Sequence, residues 1–591
     1  MTDPAATALS APAFTLGDAT AEFDAAVGRA TEEDWATRLF DRDPGLWTTD
    51  ERVAAAIADR LGWLDAPVQF SERTAGLEGF GDGVVAAGFT NAVVAGMGGS
   101  SLAPDVLHRT FGSTEGYLGL RVLDSTDPAS VAAVLDDLDP LATLFLVASK
   151  SGTTTEPLAF LADSWHRIEE ALDRVGHHVY ERPGEFTVAI TDPDKSIEAI
   201  PHHDEFREVF LNPPDIGGRY SALTYVGLVP ASLIGIDLDA LLASALAMLG
   251  ACREPHAGQN PGVSLGLAMG TLATVGRDKL TFLTDDEIGS FGAWAEQLIA
   301  ESTGKHGVGI VPIDAEPLGA VGVYGSDRAF VRLALAGADD GGRDALADGL
   351  AAAGHPVIRI EIADPIDLGA EFVRWEVATA IAGAVLRIDP FDQPNVEEAK
   401  QVTRELLARA ERGESTASAE PPLASADGLT LFGDAALRLT TADGDVIGEL
   451  ARHLARRKAT AYLALQAFIA STPARDEALA RIRALLRDRT GRPTTAGYGP
   501  RFLHSTGQLH KGGAPTGWFL QLTSDHPADR PIPGWSYTFG QLIDAQAAGD
   551  LAAIESHDLP ILRVHLGADV DAGLAALERA LTAALATTSE G

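Results

Sequence analysis

The sequence predicts an α/β fold with two subdomains, each built on a parallel sheet that helices cover on both faces. The first observation is the stretch "NAVVAGMGGSSLAPDVLHRTF", in which a short β-branched run, a glycine-rich turn and a helical pattern follow one another. The same succession recurs in "GLRVLDSTDPASVAAVL", "TLFLVASKSGTTTEPLAFLADSW" and "FTVAITDPDKSIEAI". Strands that alternate with helices indicate a parallel sheet, because each crossover helix returns the chain to the same end of the sheet.

The predicted elements follow in order along the chain. Residues 1–85 should form a helical segment, since "AEFDAAVGRATEEDWATRLFDRD" carries apolar residues three and four positions apart. Residues 86–250 are predicted as the first subdomain and residues 251–410 as the second, with strands in "KLTFLTDD", "AVGVYGS" and "PVIRIEIAD". Residues 411–429 are small, polar and proline-containing, which is typical of a linker. Residues 430–591 are predicted as an α/β extension with a helical stretch and strands in "GWFLQLTS" and "PILRVHLG".

Composition and charge exclude several classes of protein. Forty-six per cent of the 591 residues are hydrophobic, which allows sizeable cores and excludes a disordered chain. The net charge of −39 argues against nucleic acid as a partner, because phosphate backbones attract basic surfaces. We recognise no signal peptide and no uniformly apolar run of about 18 residues, so no membrane span is expected. The single cysteine, Cys252, rules out an internal disulfide framework and fits a cytoplasmic location.

The use of lysine is selective. Only seven of the 45 basic residues are lysine, and the others are arginine. A chain that uses arginine almost everywhere keeps lysine where the geometry of a guanidinium group would not serve. Four of the seven, Lys150, Lys305, Lys400 and Lys511, lie in stretches that resemble motifs.

Two turns that follow predicted strands carry the residues that suit an anion site. "GMGGSS" (residues 96–101) joins a strand to a helix, and its glycines let the backbone N–H groups approach a ligand. "SKSGTTTE" (residues 149–156) adds hydroxyl donors at the end of another strand. Neither turn is a P-loop or a dinucleotide fingerprint, and a helix-capping cluster without a ligand is the alternative. The hydroxyls available to phosphate oxygens are those of Ser149, Ser151, Thr153, Thr154 and Thr155.

Five stretches together resemble the phosphoglucose isomerase family. "GMGGSSLAP" and "ASKSGTTTE" look like the sugar isomerase (SIS) domain, and "GGRYSALTYVGLVP", "AEQLIAESTGK" and "DPFDQPNVEEAK" resemble the family's arginine, glutamate and lysine motifs. They cover most of residues 90–400, and the closest resemblance is to the isomerase half of bacterial transaldolase–isomerase fusions. The resemblance implies two doubly wound, SIS-type parallel-sheet subdomains with a rearranged C-terminal extension.

The resemblance also implies roles for individual residues. Glu301 matches the family's proton-transfer base, and Arg219 matches the arginine that stabilises the enediolate. Lys400 matches the lysine that helps to open the sugar ring, although "EEAK" on a helix would by itself suit a solvated ion pair. Contacts to the sugar or its phosphate are implied for Gly99, Ser100, Ser149, Lys150, Ser151, Thr154, Gln297 and Gln393, with Lys150 contributing its backbone N–H and its charge.

The ring-opening histidine departs from the usual family order. "YGPRFLHSTGQLHKGG" supplies His504 in a context that resembles the family's histidine motif, with His510 and then His306 as rivals. This motif usually precedes the lysine motif, whereas His504 follows Lys400 and the linker. In familiar members the histidine comes from the neighbouring subunit, so the resemblance implies a homodimer.

The predicted activity is therefore the interconversion of D-glucose 6-phosphate and D-fructose 6-phosphate in glycolysis and gluconeogenesis. Such an aldose–ketose isomerase needs a carboxylate base, a cation near the enediolate, an acid–base pair and a phosphate anchor, and it needs no metal or other cofactor. Two alternatives stay open. One is an isomerase that also accepts mannose 6-phosphate, and the other is a non-catalytic SIS-domain sensor of sugar phosphates.

Overall fold

The structure is a computed structural model that describes residues 11–176, 182–412, 421–440 and 444–588, without the side chains of residues 396–400, 409–411 and 588. The strands are β1 (Ala13–Thr15), β2 (Asn91–Gly96), β3 (Gly119–Leu123), β4 (Thr143–Ala148), β5 (Thr187–Thr191), β6 (Glu208–Leu211), β7 (Lys279–Thr284), β8 (Val311–Ile313), β9 (Arg328–Leu335), β10 (Val357–Ile362), β11 (Ala424–Ala426), β12 (Leu429–Gly433), β13 (Tyr462–Phe468), β14 (Thr494–Tyr498), β15 (Gly517–Thr523) and β16 (Ile561–His565).

The helices are α1 (Thr20–Glu32), α2 (Trp35–Phe40), α3 (Glu51–Ala58), α4 (Ala66–Ser71), α5 (Thr74–Ala86), α6 (Gly99–Phe111), α7 (Pro128–Leu135), α8 (Thr155–Val175), α9 (Lys195–Glu198), α10 (Tyr225–Leu233), α11 (Leu238–Ala251), α12 (Pro261–Thr274), α13 (Phe291–Thr303), α14 (Arg343–Ala352), α15 (Leu368–Leu386), α16 (Val396–Glu411), α17 (Ala435–Arg438), α18 (Val446–Ala455), α19 (Pro473–Thr490), α20 (Gly507–Gly512), α21 (Phe539–Ser556) and α22 (Val570–Thr588). This alternation with the strands confirms the predicted α/β class.

The first sheet is parallel throughout, in the order β3-β2-β4-β5-β6. The chain leaves β2 towards β3 and then crosses back to β4, so the direction of winding reverses between β2 and β4. In doubly wound sheets ligands bind at such a switch point, beyond the carboxyl ends of the strands. The two turns predicted to hold an anion follow β2 and β4, and they therefore lie side by side at this edge.

The second sheet has the order β1-β10-β9-β7-β8. Its edge strand β1 comes from the N-terminal segment predicted to be helical and pairs antiparallel with β10. The prediction of a strand in "AVGVYGS" is wrong, because Val321–Val323 form a short 3₁₀ helix. The strand begins after this stretch, as β9. Arg328 and Arg332 interrupt the apolar pattern of β9, yet both are buried in ion pairs with acidic partners.

The C-terminal extension forms a third sheet, in the order β11-β12-β16-β15-β13-β14. Strands β13 to β16 are parallel, and β12 pairs antiparallel with β16. Its edge strand β11 lies inside the stretch 411–429 that was predicted as a linker, of which residues 413–420 are outside the described part of the chain. The boundaries of the five predicted segments stay a prediction.

The third sheet has a hydrophobic core of its own, whereas the first two sheets share one with the N-terminal helices. Buried polar contacts join the third sheet to the second. The Glu316 carboxylate accepts two hydrogen bonds from Arg328, at 2.6 and 3.0 Å, and two from the backbone N–H and hydroxyl of Thr494, both at 2.8 Å. This contact fixes the start of β14, the strand that leads into the histidine motif.

The long helices are amphipathic or are packed inside the protein. Across the described residues, we find no helix with the length and apolar character that crossing a membrane requires.

Candidate active site

A cavity of about 700 Å³ lies where loops from the three sheets meet. The strand-end turns of the first sheet form one wall, α13 and the loop after α15 form another, and the histidine motif closes a third. The predicted site residues that line the cavity are Gly99, Ser100, Ser149, Lys150, Ser151, Thr154, Arg219, Gln297, Glu301, Gln393 and His504. Lys400 lies in α16, and its side chain is outside the described part of the structure.

The side of the cavity predicted to hold the phosphate is formed by two helix N-termini. A Cβ atom on Gly99, the first residue of α6, would lie 2.0 Å from the Gly218 carbonyl oxygen, so only glycine allows this close approach. Gly98, with φ of +55°, turns the chain into the helix. The free N–H groups at the starts of α6 and α8 favour an anion between them.

Hydroxyl groups complete this side. Ser149 Oγ donates to Thr154 Oγ1 at 3.1 Å, and Ser151 Oγ lies 3.0 Å from Thr153 Oγ1. Thr154 is the N-cap residue of α8, but its side chain makes no capping hydrogen bond. The hydroxyls are therefore bound to one another more than to the helix, and an anion in the cavity can accept from them.

Lys150 is tied to the neighbouring strand end. Its ammonium group pairs with Asp192 and donates to the Pro214 carbonyl oxygen at 3.0 Å. Burial raises the pKa of Asp192, and the Lys150 ammonium opposes that effect. Lys150 thus contributes positive charge beside the hydroxyl loop and does not point freely into the cavity.

The base and the cation predicted for proton transfer face each other. Glu301 lies in the last turn of α13, where its Oε1 is 3.3 Å from Arg219 Nη1. One turn earlier in α13, Gln297 Nε2 donates to Glu301 Oε2 at 3.2 Å and to the His504 carbonyl oxygen at 2.7 Å. The two side chains of α13 therefore connect the glutamate motif to the histidine motif.

Arg219 is held in place by several acceptors besides Glu301. Its guanidinium donates to Ser302 Oγ at 2.8 Å, to Gln393 Oε1 at 3.0 Å, and to the carbonyl oxygens of Pro390 and Asp392 at 2.8 and 2.9 Å. The side chain is only 3% exposed. This arrangement fixes the guanidinium plane, so that charge developing nearby meets a cation already in position.

His504 ends a short 3₁₀ helix that follows β14, and its ring faces the first sheet of the same chain. Its Nε2 lies 3.2 Å from Glu156 Oε1. That oxygen also accepts a hydrogen bond from Gln546 Nε2 at 2.6 Å, and Gln546 Oε1 accepts one from Thr126 Oγ1 at 2.7 Å. The imidazole is therefore paired with a buried carboxylate whose orientation is itself fixed.

Sequence reasoning missed Glu156 and Gln546. Glu156 is the last residue of the motif "SKSGTTTE", and an acidic residue in the first turn of a helix is usually explained as a capping charge. Gln546 lies on α21, in a stretch without a motif, and no local signal marks it. Both line the cavity, together with Lys511, whose ammonium pairs with the buried Asp550 at 2.8 Å.

Neither rival histidine lines the cavity. His510 is buried against the rings of Phe502 and Phe519, and burial lowers its pKa to about 3. His306 is exposed in the turn that follows α13. Of the three, only His504 lies beside an acidic partner in the cavity wall.

Over the part of the chain that the structure describes, no group of three or more His, Cys, Asp or Glu side chains is arranged to hold a metal ion. The model of a family described as phosphoglucose isomerase matches residues 55–315. A glucose-6-phosphate isomerase of Rubrobacter xylanophilus is 30% identical over 404 residues, which cover 60% of this chain and 91% of that relative. The chain belongs to the phosphoglucose isomerase family.

Another relative agrees with this assignment. A probable glucose-6-phosphate isomerase of Natronomonas pharaonis is 31% identical over 368 residues, covering 55% of this chain and 81% of the relative. Among solved structures, a hypothetical protein from Thermus thermophilus aligns with a TM-score of 0.56 at 25% identity, over 67% of this chain and 100% of that one. The family match ends at residue 315, so the wall that carries His504 lies beyond it.

Proposed function

We propose that the protein interconverts D-glucose 6-phosphate and D-fructose 6-phosphate through a cis-enediol or enediolate. The observation that carries this proposal is the pairing of Glu301 with Arg219 at 3.3 Å in a cavity that also contains a hydroxyl-rich anion site. Proton transfer between adjacent carbons requires a carboxylate base with a cation next to the oxygens that become negative. The names of the relatives support the same reaction.

Binding begins at the phosphate side. The helix N-termini and the hydroxyls of Ser149 and Thr154 hold the phosphate group, which fixes the far end of the sugar. The phosphate then contributes binding energy that positions the reacting carbons against α13. Gln297 and Gln393 also line the cavity, and their amide groups suit sugar hydroxyls.

Ring opening follows in the wall that carries His504. The hydroxyl proton leaves O1, the bond between C1 and the ring oxygen breaks, and the ring oxygen gains a proton. His504 transfers this proton, and the Glu156 carboxylate orients the imidazole, as the acidic member of a triad does. Lys400 is proposed as a second ring-opening group, on the resemblance of "FDQPNVEEAK" to the family motif.

Isomerisation takes place on the open chain. Glu301 removes the proton from C2, and negative charge develops on O1, where Arg219 stabilises it. A proton moves from O2 to O1, and Glu301 then returns its proton to C1, which leaves the carbonyl group at C2. The Arg219 guanidinium keeps its four other acceptors throughout, so little reorganisation is needed.

An assay of the purified chain with glucose 6-phosphate and with mannose 6-phosphate tests the proposal. We expect fructose 6-phosphate to form from glucose 6-phosphate. Formation from both substrates would identify the bifunctional alternative. Tight binding of sugar phosphates without turnover would contradict the proposal and favour a sensor.

We also propose a homodimer in the cytoplasm. The resemblance implies the dimer, and the phosphorylated sugar substrate supports the location. His504 of the same chain lines the cavity. The site therefore does not need a partner subunit to provide its histidine. Sedimentation analysis and cell fractionation test the two proposals, and activity per chain that is independent of dilution would argue that the site does not need a partner.

A further inference from the structure

We propose that Gln546 and Thr126 are positioning residues for ring opening, because they hold the Glu156 carboxylate in the orientation that His504 needs. This inference rests on the proposed isomerase function and extends it to two residues outside the family motifs. Thr126 does not line the cavity, so it acts only through Gln546.

The three groups form a directed chain of hydrogen bonds. Thr126 Oγ1 donates to Gln546 Oε1 at 2.7 Å and so anchors the oxygen end of the amide. With the oxygen occupied, the amide Nε2 faces the carboxylate and donates to Glu156 Oε1 at 2.6 Å. A flipped amide would place its oxygen against the carboxylate, where two acceptors repel each other.

The same carboxylate oxygen meets the catalytic imidazole. Glu156 Oε1 lies 2.6 Å from Gln546 Nε2 and 3.2 Å from His504 Nε2. The terminal torsion of a glutamate is soft, so a carboxylate needs a partner to hold one plane. The amide supplies that partner in a buried site, where hydrogen bonds to charged groups are strong.

These hydrogen bonds also join the first sheet to α21. Thr126 follows β3, and Glu156 is in the first turn of α8, so both belong to the first sheet. Gln546 lies on α21, which packs between the first and third sheets. One turn further along α21, the buried Asp550 pairs with Lys511 of α20 at 2.8 Å, next to the histidine motif. Helix α21 thus contacts both the carboxylate partner of His504 and the helix that carries the end of the histidine motif.

The test compares three variants that change buried threonines. Thr126→Val keeps the shape of the side chain but removes the hydroxyl donor, whereas Thr126→Ser keeps the hydroxyl. The matched control is Thr143→Val at the start of β4, where the hydroxyl donates to the Asp139 carbonyl oxygen at 2.7 Å and does not reach the cavity. Circular dichroism and thermal unfolding check that each variant folds.

Ring opening is measured by itself as the interconversion of the glucose 6-phosphate anomers, followed by exchange NMR. We expect Thr126→Val to slow anomer exchange and to lower kcat/KM about 10- to 100-fold, the range for leaving a buried polar group unpaired. Binding of fructose 6-phosphate should change less than about twofold, since the phosphate loops are untouched. Thr126→Ser and Thr143→Val should stay near the wild type.

The chemical shifts of the His504 ring nitrogens separate this inference from the function on which it rests. These chemical shifts should change in Thr126→Val and stay the same in Thr143→Val. Unchanged ring signals with unchanged anomer exchange would overturn the inference, as would an equal loss in Thr126→Ser. A wild-type protein without isomerase activity would instead overturn the proposed function.

Discussion

Replacing Glu301 by glutamine is the most direct test of the proposed chemistry. Glu301→Gln keeps the volume and the hydrogen-bonding plane of the side chain but removes the group that accepts the C2 proton. The side chain is 11% exposed, and it contacts both Arg219 and Gln297, so the substitution changes one atom in a packed site. Arg219 loses one partner and keeps four other acceptors, which should hold the guanidinium in place.

The expected loss follows from the role of the carboxylate. A positioned acid–base group contributes about 10²- to 10⁴-fold to the rate. At about 1.4 kcal/mol for each factor of ten, this corresponds to about 3–5 kcal/mol of transition-state stabilisation. Binding of the phosphorylated sugar should persist within a few-fold, because the phosphate loops lie on α6 and α8. The loss should therefore fall on kcat and leave KM nearly unchanged.

Glu296 provides a matched control on the same helix. Burial, together with the nearby Asp314 carboxyl, raises the pKa of Glu296 to about 8. Glu296 does not line the cavity, and Glu296→Gln keeps the shape of its side chain. We expect little change in turnover from this variant.

Two measurements decide the outcome. The coupled isomerase assay reports net turnover, and incorporation of solvent deuterium at C2, followed by NMR, reports proton abstraction alone. Both should fall together in Glu301→Gln, while anomer exchange continues because ring opening uses other groups. Turnover of Glu301→Gln within about tenfold of the wild type, or an equal loss in Glu296→Gln, would refute the assignment of the base.

The double variant Ser149→Ala with Thr154→Ala should weaken binding of sugar phosphates about 10- to 100-fold, since it removes two hydroxyl donors; unchanged binding of inorganic phosphate in calorimetry would contradict this role. His504→Ala should slow anomer exchange about 10²-fold or more, whereas His510→Phe, which fills the same buried space, should leave it intact; the reverse pattern would assign ring opening to the other histidine. Burial and the nearby Arg219 guanidinium lower the pKa of Lys305 to about 8, and its ammonium binds Asp392 at 2.6 Å. Lys305 Nζ and Arg219 Nη2 both donate to the Asp392 carbonyl oxygen, so wild-type kcat/KM should decline as pH rises above about 8 and the Lys305 ammonium loses its proton. Lys305→Arg should move the decline to higher pH, and a pH profile identical to that of the wild type would exclude this effect.

The sequence determined the features that depend on a few neighbouring residues. The glycines of "GMGGSS" permit a backbone approach that no other residue allows, and the hydroxyls of "SKSGTTTE" offer hydrogen-bond donors to an anion at a strand end. The alternation of strand and helix predicted the α/β class for the same reason, since hydrophobic periodicity is a local property. These features needed no knowledge of distant parts of the chain.

Tertiary structure decided the strands whose local pattern is misleading. Strand β9 contains Arg328 and Arg332, which are 0% and 2% exposed and are neutralised by acids from other segments. Strand β13 has the sequence YLALQAF, rich in residues that favour helices, and it became a strand because β14 and β15 pair with it on both sides. Burial and pairing overrode local preference in both places.

The candidate site shows the same division between what local sequence indicates and what tertiary packing decides. Each motif indicated its own residues, but only the folded chain could bring His504 to Glu156, 348 positions away in sequence, and Gln546 to the same carboxylate. The departure from the usual motif order left open which subunit supplies the histidine, and here the third sheet of the same chain carries it to the cavity. Short-range sterics and hydrogen-bond chemistry specify which groups a motif offers. Which groups meet depends on how separate sheets pack, because those contacts join residues that share no local signal.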